Sequence, residues 1–268
     1  MALDQRGGVA THWLRMGQGD RPALLLHCSL GHSGGWAAMA RGLDDVLDMT
    51  AFDLPGHGRS ADWDGVTDLQ TQSMAMALDF LSPERPMDLI GHSFGGTIAL
   101  RIAVERPELV RRLVLIEPVF FAAALADQPE LRAPYDAQMA PYYAALEAGD
   151  MLEAARAFTA LWGDGRAWDR VPEPARQAMA SRIHLIGAGA PQIYGDAAGL
   201  LRAGRLQGVH HPTLLIEGAE SPFSVRAINT ALAARLPDTR RATVEGAGHM
   251  APITHPQAVA ALIRDFLA

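Results

Sequence analysis

Between residues 87 and 105 an apolar run, a glycine turn and an apolar helix-length segment follow one another without a gap. Residues 87–91 read as a buried strand, Gly91-His92-Ser93-Phe94-Gly95 as a turn, and residues 94–105 as a helix stopped before Pro107. Proline and the residue before it resist helix continuation. A strand that passes into a helix through so few residues forces strained backbone angles, so only small residues fit beside the turn. Gly91, Gly95 and Gly96 meet that demand. Such a turn lifts the Ser93 hydroxyl clear of a sheet and aims helix N-terminal amides at it, where negative charge is stabilised.

The rest of the chain repeats this unit. Short apolar runs at residues 23–28, 47–54, 113–116, 213–216 and 241–244 read as buried strands. They alternate with helix-length segments starting near Trp36, at residues 67–81 and at residues 256–268, the last opening on a proline where helices tolerate one. Alternating strands and helices predict an α/β fold, a mostly parallel central sheet flanked by helices. Between residues 119 and 209 the strand signal disappears. That stretch is alanine-rich and helical in pattern, broken by Pro129, Pro134, Pro141, Pro172 and Pro174. It predicts a helical cap (119–209) inserted into a core made of residues 1–118 and 210–268.

Composition narrows the function classes. A net charge of −7 gives no electrostatic reason to expect nucleic acid or an anionic membrane as partner. The lone Cys28 excludes an intramolecular disulfide and a cysteine zinc cage. Residues 1–20 lack an apolar core of signal-peptide length, and no uncharged apolar run reaches membrane-spanning length. A soluble, cytoplasmic protein is expected, with no metal and no organic cofactor; a homo-oligomer is left open.

The G-x-S-x-G turn in its strand–turn–helix setting resembles the nucleophile elbow of the α/β-hydrolase superfamily, and the resemblance covers nearly the whole chain. Phe52-Asp53-Leu54-Pro55-Gly56-His57-Gly58-Arg59-Ser60 looks like the family's turn after the strand preceding the elbow. There a structural role is expected, with glycines at positive φ and a carboxylate holding a loop. The cap falls where the family inserts its lids. The resemblance implies a serine hydrolase with Ser93 as nucleophile. Gly246-Ala247-Gly248-His249-Met250, directly after the last strand, resembles the family's G-x-G-H pattern and implies His249 as general base. By position, the backbone amides of Ser29 and Phe94 would form the oxyanion hole. Cys28 stands where the family usually has glycine, which keeps Leu30 open as the donor, and Cys28 itself reads as a small buried hydrophobe.

The triad acid is displaced. The family commonly carries it after the penultimate strand in a pattern like G-x-x-D, but here Gly218-Ala219-Glu220-Ser221 puts a serine in that place. Two carboxylates keep the chain order serine, acid, histidine. Glu220 is one residue early. Glu117 ends the strand directly after the elbow helix, a position that certain lipases and haloalkane dehalogenases of the superfamily use, and it is the favoured candidate.

The expected chemistry is cleavage of a small ester, thioester, lactone or carbon–carbon bond through an acyl-enzyme on Ser93. A serine nucleophile argues against the dehalogenase and epoxide hydrolase branches, which attack with aspartate. A small-molecule substrate would lie against Trp36, Phe94, Phe120 and Met250, with Tyr142, Tyr143, Trp162, Trp168 and Tyr194 as cap candidates. The alternative is a ligand-binding or vestigial protein of this fold with little turnover, favoured by Ser221 and Cys28.

Overall fold

A computed structural model describes residues 2–268. Its eight strands form one sheet: β1 (Ala2–Arg6), β2 (Val9–Met16), β3 (Arg21–Leu26), β4 (Leu47–Phe52), β5 (Met87–His92), β6 (Val110–Ile116), β7 (Thr213–Gly218) and β8 (Thr239–Val244). The spatial order is β1-β2-β4-β3-β5-β6-β7-β8. From β4 to β8 every neighbouring pair is parallel, whereas β1 and β2 form an antiparallel hairpin that pairs with β4. No long apolar run marks that hairpin, because Asp4, Gln5, Arg6, Thr11, His12 and Arg15 interrupt its apolar residues and most of residues 3–16 are only partly covered.

The helices are α1 (Ala37–Ala40), α2 (Leu69–Leu78), α3 (Phe94–Glu105), α4 (Phe121–Asp127), α5 (Arg132–Glu147), α6 (Met151–Trp162), α7 (Glu173–Arg182), α8 (His184–Ala188), α9 (Ala190–Ile193), α10 (Phe223–Ala233), α11 (Ala251–Thr254) and α12 (Pro256–Leu267). They cover both faces of the sheet, and the strand pleat sorts the side chains between them. Leu24, Leu26, Leu89, Leu113, Leu115 and Leu215 join one core with α2, α3 and α10. Ala23, Leu25, Ile90, Val114, Ile116, Leu214 and Ile216 join the other with α12. Val259, Ala260, Ile263, Phe266 and Leu267 form the buried stripe of α12. Burying each large member of that stripe stabilises the fold by roughly 1.5–3 kcal/mol.

The apolar pattern predicts a buried strand at residues 241–244, but β8 is the sheet edge, and Thr239, Arg240, Arg241 and Thr243 stay partly or fully exposed. An edge strand carrying arginines resists pairing with another chain. Helix α1 is also only four residues long and follows a 3₁₀ turn at Ser33–Trp36.

The connectivity decides where chemistry can be placed. The chain runs from β3 outward to β4, then returns to β5 on the other side of β3. The loops leaving β3 and β5 therefore diverge at their carboxyl ends, and such a switch point opens a crevice. All of the chain between β6 and β7 is helix, turn or loop, in α4 through α9. Below the crevice Asp53, 2% exposed, ties three segments together. It accepts from Ser33 N–H at 2.6 Å and Arg59 N–H at 2.9 Å, and lies 2.9 Å from His12 Nδ1. Gly58, at φ 55°, is needed there, because a Cβ would lie 2.1 Å from the Asp53 carboxylate.

Candidate active site

Ser93 and Glu117 are positioned by the sheet register. His92 pairs with Ile116, and Ile116 with Ile216, so Ser93 and Glu117 each stand one residue beyond the end of neighbouring strands. The Ser93 N–H donates to the Ile116 carbonyl at 2.9 Å, and the Glu117 N–H to the Ile216 carbonyl at 2.8 Å. Both residues have left the extended conformation, Ser93 at φ 55° and Glu117 at φ 52°. The Ser93 turn leaves no room for side chains: a Cβ on Gly95 would lie 2.2 Å from the Leu26 carbonyl oxygen, and one on Gly91 2.4 Å from that of Gly95.

His249 reaches the same spot from the loop after β8. Its Nε2 lies 3.0 Å from Ser93 Oγ and its Nδ1 3.0 Å from Glu117 Oε2. All three residues are buried, with Glu117 at 0% exposure. The second carboxylate oxygen, Oε1, accepts from the Ser221 hydroxyl at 2.7 Å and from the Gly218 N–H. A buried carboxylate with three donors has its desolvation offset by hydrogen bonds. Ser221, which stands where the family commonly has aspartate, thus donates to the carboxylate of Glu117 just beyond β6. Glu220, the alternative acid, is exposed, and its N–H donates to the Ala247 carbonyl at 2.9 Å.

The loop after β3 is a turn closed by Gly31 N–H donating to the Cys28 carbonyl at 3.1 Å, with Leu30 at φ 61°. His27 fixes it. Its Nε2 accepts the Leu54 N–H at 2.9 Å, so Nδ1 carries the proton and donates to the Cys28 carbonyl at 2.7 Å. Among the described residues, the N–H groups of Ser29 and Phe94 donate to no protein atom. Burial pushes the Cys28 thiol up to about 12, which keeps it a neutral, inert wall residue. Leu30, Ser93 and Glu117 are three of the four non-glycine residues with positive φ among those described. Backbone strain of this kind gathers where function over-determines the structure.

His92, the variable position inside the G-x-S-x-G turn, was not singled out from sequence. It is buried, and its Nε2–H donates to the His249 carbonyl at 2.9 Å, anchoring the histidine loop to the elbow. Burial lowers its pKa to about 3, and lowers those of His27 to about 4 and His57 to about 3. These histidines stay neutral when folded but take up protons when unfolded below their ordinary pKa near 6.5. The unfolded state then binds more protons, so stability falls as pH falls from about 6.5 toward 4. Each histidine is expected to cost on the order of 1–2 kcal/mol by pH 5. Urea unfolding at pH 7 and pH 5 checks this, and His92→Gln is expected to shrink the difference.

Two cavities meet at these residues. A small one of about 60 Å³ is lined by Ser93, His249, Cys28, Ser29, Met250 and, from the helical segment, Phe121, Tyr135, Phe158, Trp162, Ile193 and Tyr194 among others. A larger one of about 300 Å³ runs past Ser29, Trp36, Met250, Trp162 and Trp168 to Asp164, Arg166 and the half-exposed Ile253. The Trp162 ring stands edge-on to His249, centroids 4.6 Å apart. Phe120 is a correction: it is 2% exposed in the core and lines neither cavity, while the next residue, Phe121, turns to the site. The Phe94 ring is also core. Tyr142 and Tyr143 line neither cavity, and Tyr135 does so although sequence gave no sign of it. Among the described residues no cluster of side chains suits a metal ion, and no helix is long and apolar enough to cross a membrane.

The fold and the site together define a hydrolase. The chain belongs to the alpha/beta hydrolase fold family, whose model matches residues 22–256. It is 32% identical over 244 residues to the pimeloyl-[acyl-carrier protein] methyl ester esterase of Aromatoleum aromaticum, covering 86% of this chain and 91% of that one. It is 28% identical over 247 residues to the esterase of the same name from Neisseria meningitidis serogroup C, covering 87% and 91%. In structure it resembles the enol-lactonase of Burkholderia xenovorans LB400, with a TM-score of 0.75, 21% identity and 99% of both chains covered. It also resembles MGS-M2, an alpha/beta hydrolase from a deep-sea metagenome library, with a TM-score of 0.78, 16% identity and 99% and 97% of the two chains covered.

Proposed function

We propose that this hydrolase cleaves carboxylic esters through an acyl-enzyme on Ser93, with His249 as general base, Glu117 as triad acid and the helical segment between β6 and β7 as a lid. The observation that carries the reading is the hydrogen-bonded chain from Ser93 Oγ through His249 to Glu117, 3.0 Å at each link. The esterase names of the relatives support the same bond class.

The steps follow from the geometry. The His249 Nδ1–H donates to Glu117, which leaves Nε2 free to take the Ser93 proton as Oγ attacks the ester carbonyl. The developing oxyanion is held by the N–H groups of Ser29 and Phe94, each worth roughly 3 kcal/mol in the transition state. His249 returns the proton to the departing alcohol, then activates the water that releases the acid. Glu117 stays ionised and stabilises the imidazolium in between. Trp162 and the apolar cap wall exclude bulk water, which strengthens each of these interactions.

A fluorophosphonate probe tests the reading. Rapid stoichiometric labelling of Ser93, blocked in His249→Ala, is expected, because only an activated serine attacks such a probe quickly. Labelling no faster than that of unfolded protein would return the chain to the ligand-binding or vestigial reading.

A further inference from the structure

The small cavity beside Ser93 contains a polar feature that the ester chemistry does not use. Its walls are apolar apart from Ser93, His249, Ser29 and two tyrosines, and no arginine or lysine lines it. The Tyr135 and Tyr194 hydroxyls lie 2.6 Å apart. Phe121 packs on both rings, with centroids 4.5 and 4.9 Å away, and on Trp162 at 6.1 Å. An aromatic wall therefore runs from the tyrosine pair to Trp162, which touches His249. Tyr135 is 3% exposed, and Tyr194 beside it is half-buried.

The pair is one acceptor short. Each phenol carries one proton, and the hydrogen bond between them uses one of the two. Neither hydroxyl has another partner among the described residues. Burial raises the pKa of both phenols well above the ordinary tyrosine value, so neither proton is lost by ionisation. Arg132 lies over the Tyr194 ring at 5.6 Å, but it is half exposed and paired with Asp136. A donor facing an apolar wall without an acceptor is unfavourable, and native structures rarely keep one without a reason.

We infer that the second tyrosine proton is a recognition element: the substrate part filling this cavity carries a neutral acceptor oxygen, a keto or ether group, rather than plain hydrocarbon. This rests on the ester-hydrolase reading above. The cavity size assigns that part to the shorter side of the ester, while the larger cavity, open at Asp164 and Arg166, takes the longer side. A carboxylate is disfavoured because no cation lines the wall to balance it.

Matched esters test this on either side of the scissile bond. Hexyl levulinate is compared with hexyl pentanoate for a short acyl group, and 2-methoxyethyl hexanoate with butyl hexanoate for a short alkoxy group. In one of the two pairs the oxygen-bearing ester is expected to have about tenfold higher kcat/KM, the size of one well-placed hydrogen bond. The pair that responds tells which side occupies the cavity. Tyr135→Phe/Tyr194→Phe is expected to abolish the preference, read as the ratio of kcat/KM within each pair, which falls to about one. Binding of the same four esters to the Ser93→Ala protein, measured by calorimetry, reads the cavity without turnover. It separates failure of this inference from failure of the hydrolase reading. Equal binding within both pairs, or a preference that survives the double substitution, would overturn it.

Discussion

Ser93→Ala is expected to lower kcat for a simple ester by about 10⁶-fold, with the urea midpoint unchanged. The Ser93 hydroxyl makes one hydrogen bond, to His249 Nε2, so its removal takes away the proposed attacking atom and little else. Alanine suits the strained φ of 55° no worse than serine does, and the ring of glycines that accommodates the turn is untouched. His249→Ala is expected to lose a comparable factor, and the double variant little more, because members of such a chain act as a unit. Burst kinetics with a chromogenic ester would measure all three. A Ser93→Ala enzyme retaining wild-type turnover would remove the nucleophile from the mechanism.

Glu117→Gln is the second large effect, expected at about 10⁴-fold in kcat with the fold intact. The surroundings determine how the new amide sits. Oε1 is held by two donors, the Ser221 hydroxyl and the Gly218 N–H. A glutamine must therefore turn its carbonyl to them and its NH₂ toward His249 Nδ1. That nitrogen then becomes an acceptor and the proton moves to Nε2, where it blocks the transfer from Ser93. Glu220→Gln, on an exposed side chain, is expected to change the rate by no more than a few-fold through long-range electrostatics. The position of Ser221 suggests a rescue: Glu117→Gln/Ser221→Asp is expected to recover part of the lost rate by placing a carboxylate in the loop after β7. Rates for the four proteins, with the amplitude of Ser93 labelling as a count of intact sites, check the assignment. A Glu220→Gln loss larger than that of Glu117→Gln would reverse it.

The elbow was legible because its causes are local. Gly91, Gly95 and Gly96 surround Ser93 in sequence, and the steric demand that selects them operates within a few residues. Alternation of apolar runs and helices likewise reports the parallel strands directly, since their residues are buried on both faces. The β1–β2 hairpin was silent for the complementary reason: it lies toward the sheet edge, its apolar residues interrupted by polar ones, and pairing rather than burial defines it.

Within the site the division has the same origin. Sequence by itself determined that a serine would stand on a strained turn with a histidine on a strand-end loop, because each rests on its own neighbours. It narrowed the acid to Glu117 and Glu220 without joining either to the histidine. Only the tertiary structure joined Glu117 Oε2 to His249 Nδ1, since that contact depends on the register of β5, β6 and β7 and on a loop 132 residues away. The same holds for His92 gripping the His249 carbonyl, for Phe121 rather than Phe120 facing the cavity, and for the Tyr135–Tyr194 pair, 59 residues apart. Contacts between distant segments depend on how packed elements are rotated and registered, and no local propensity encodes that rotation.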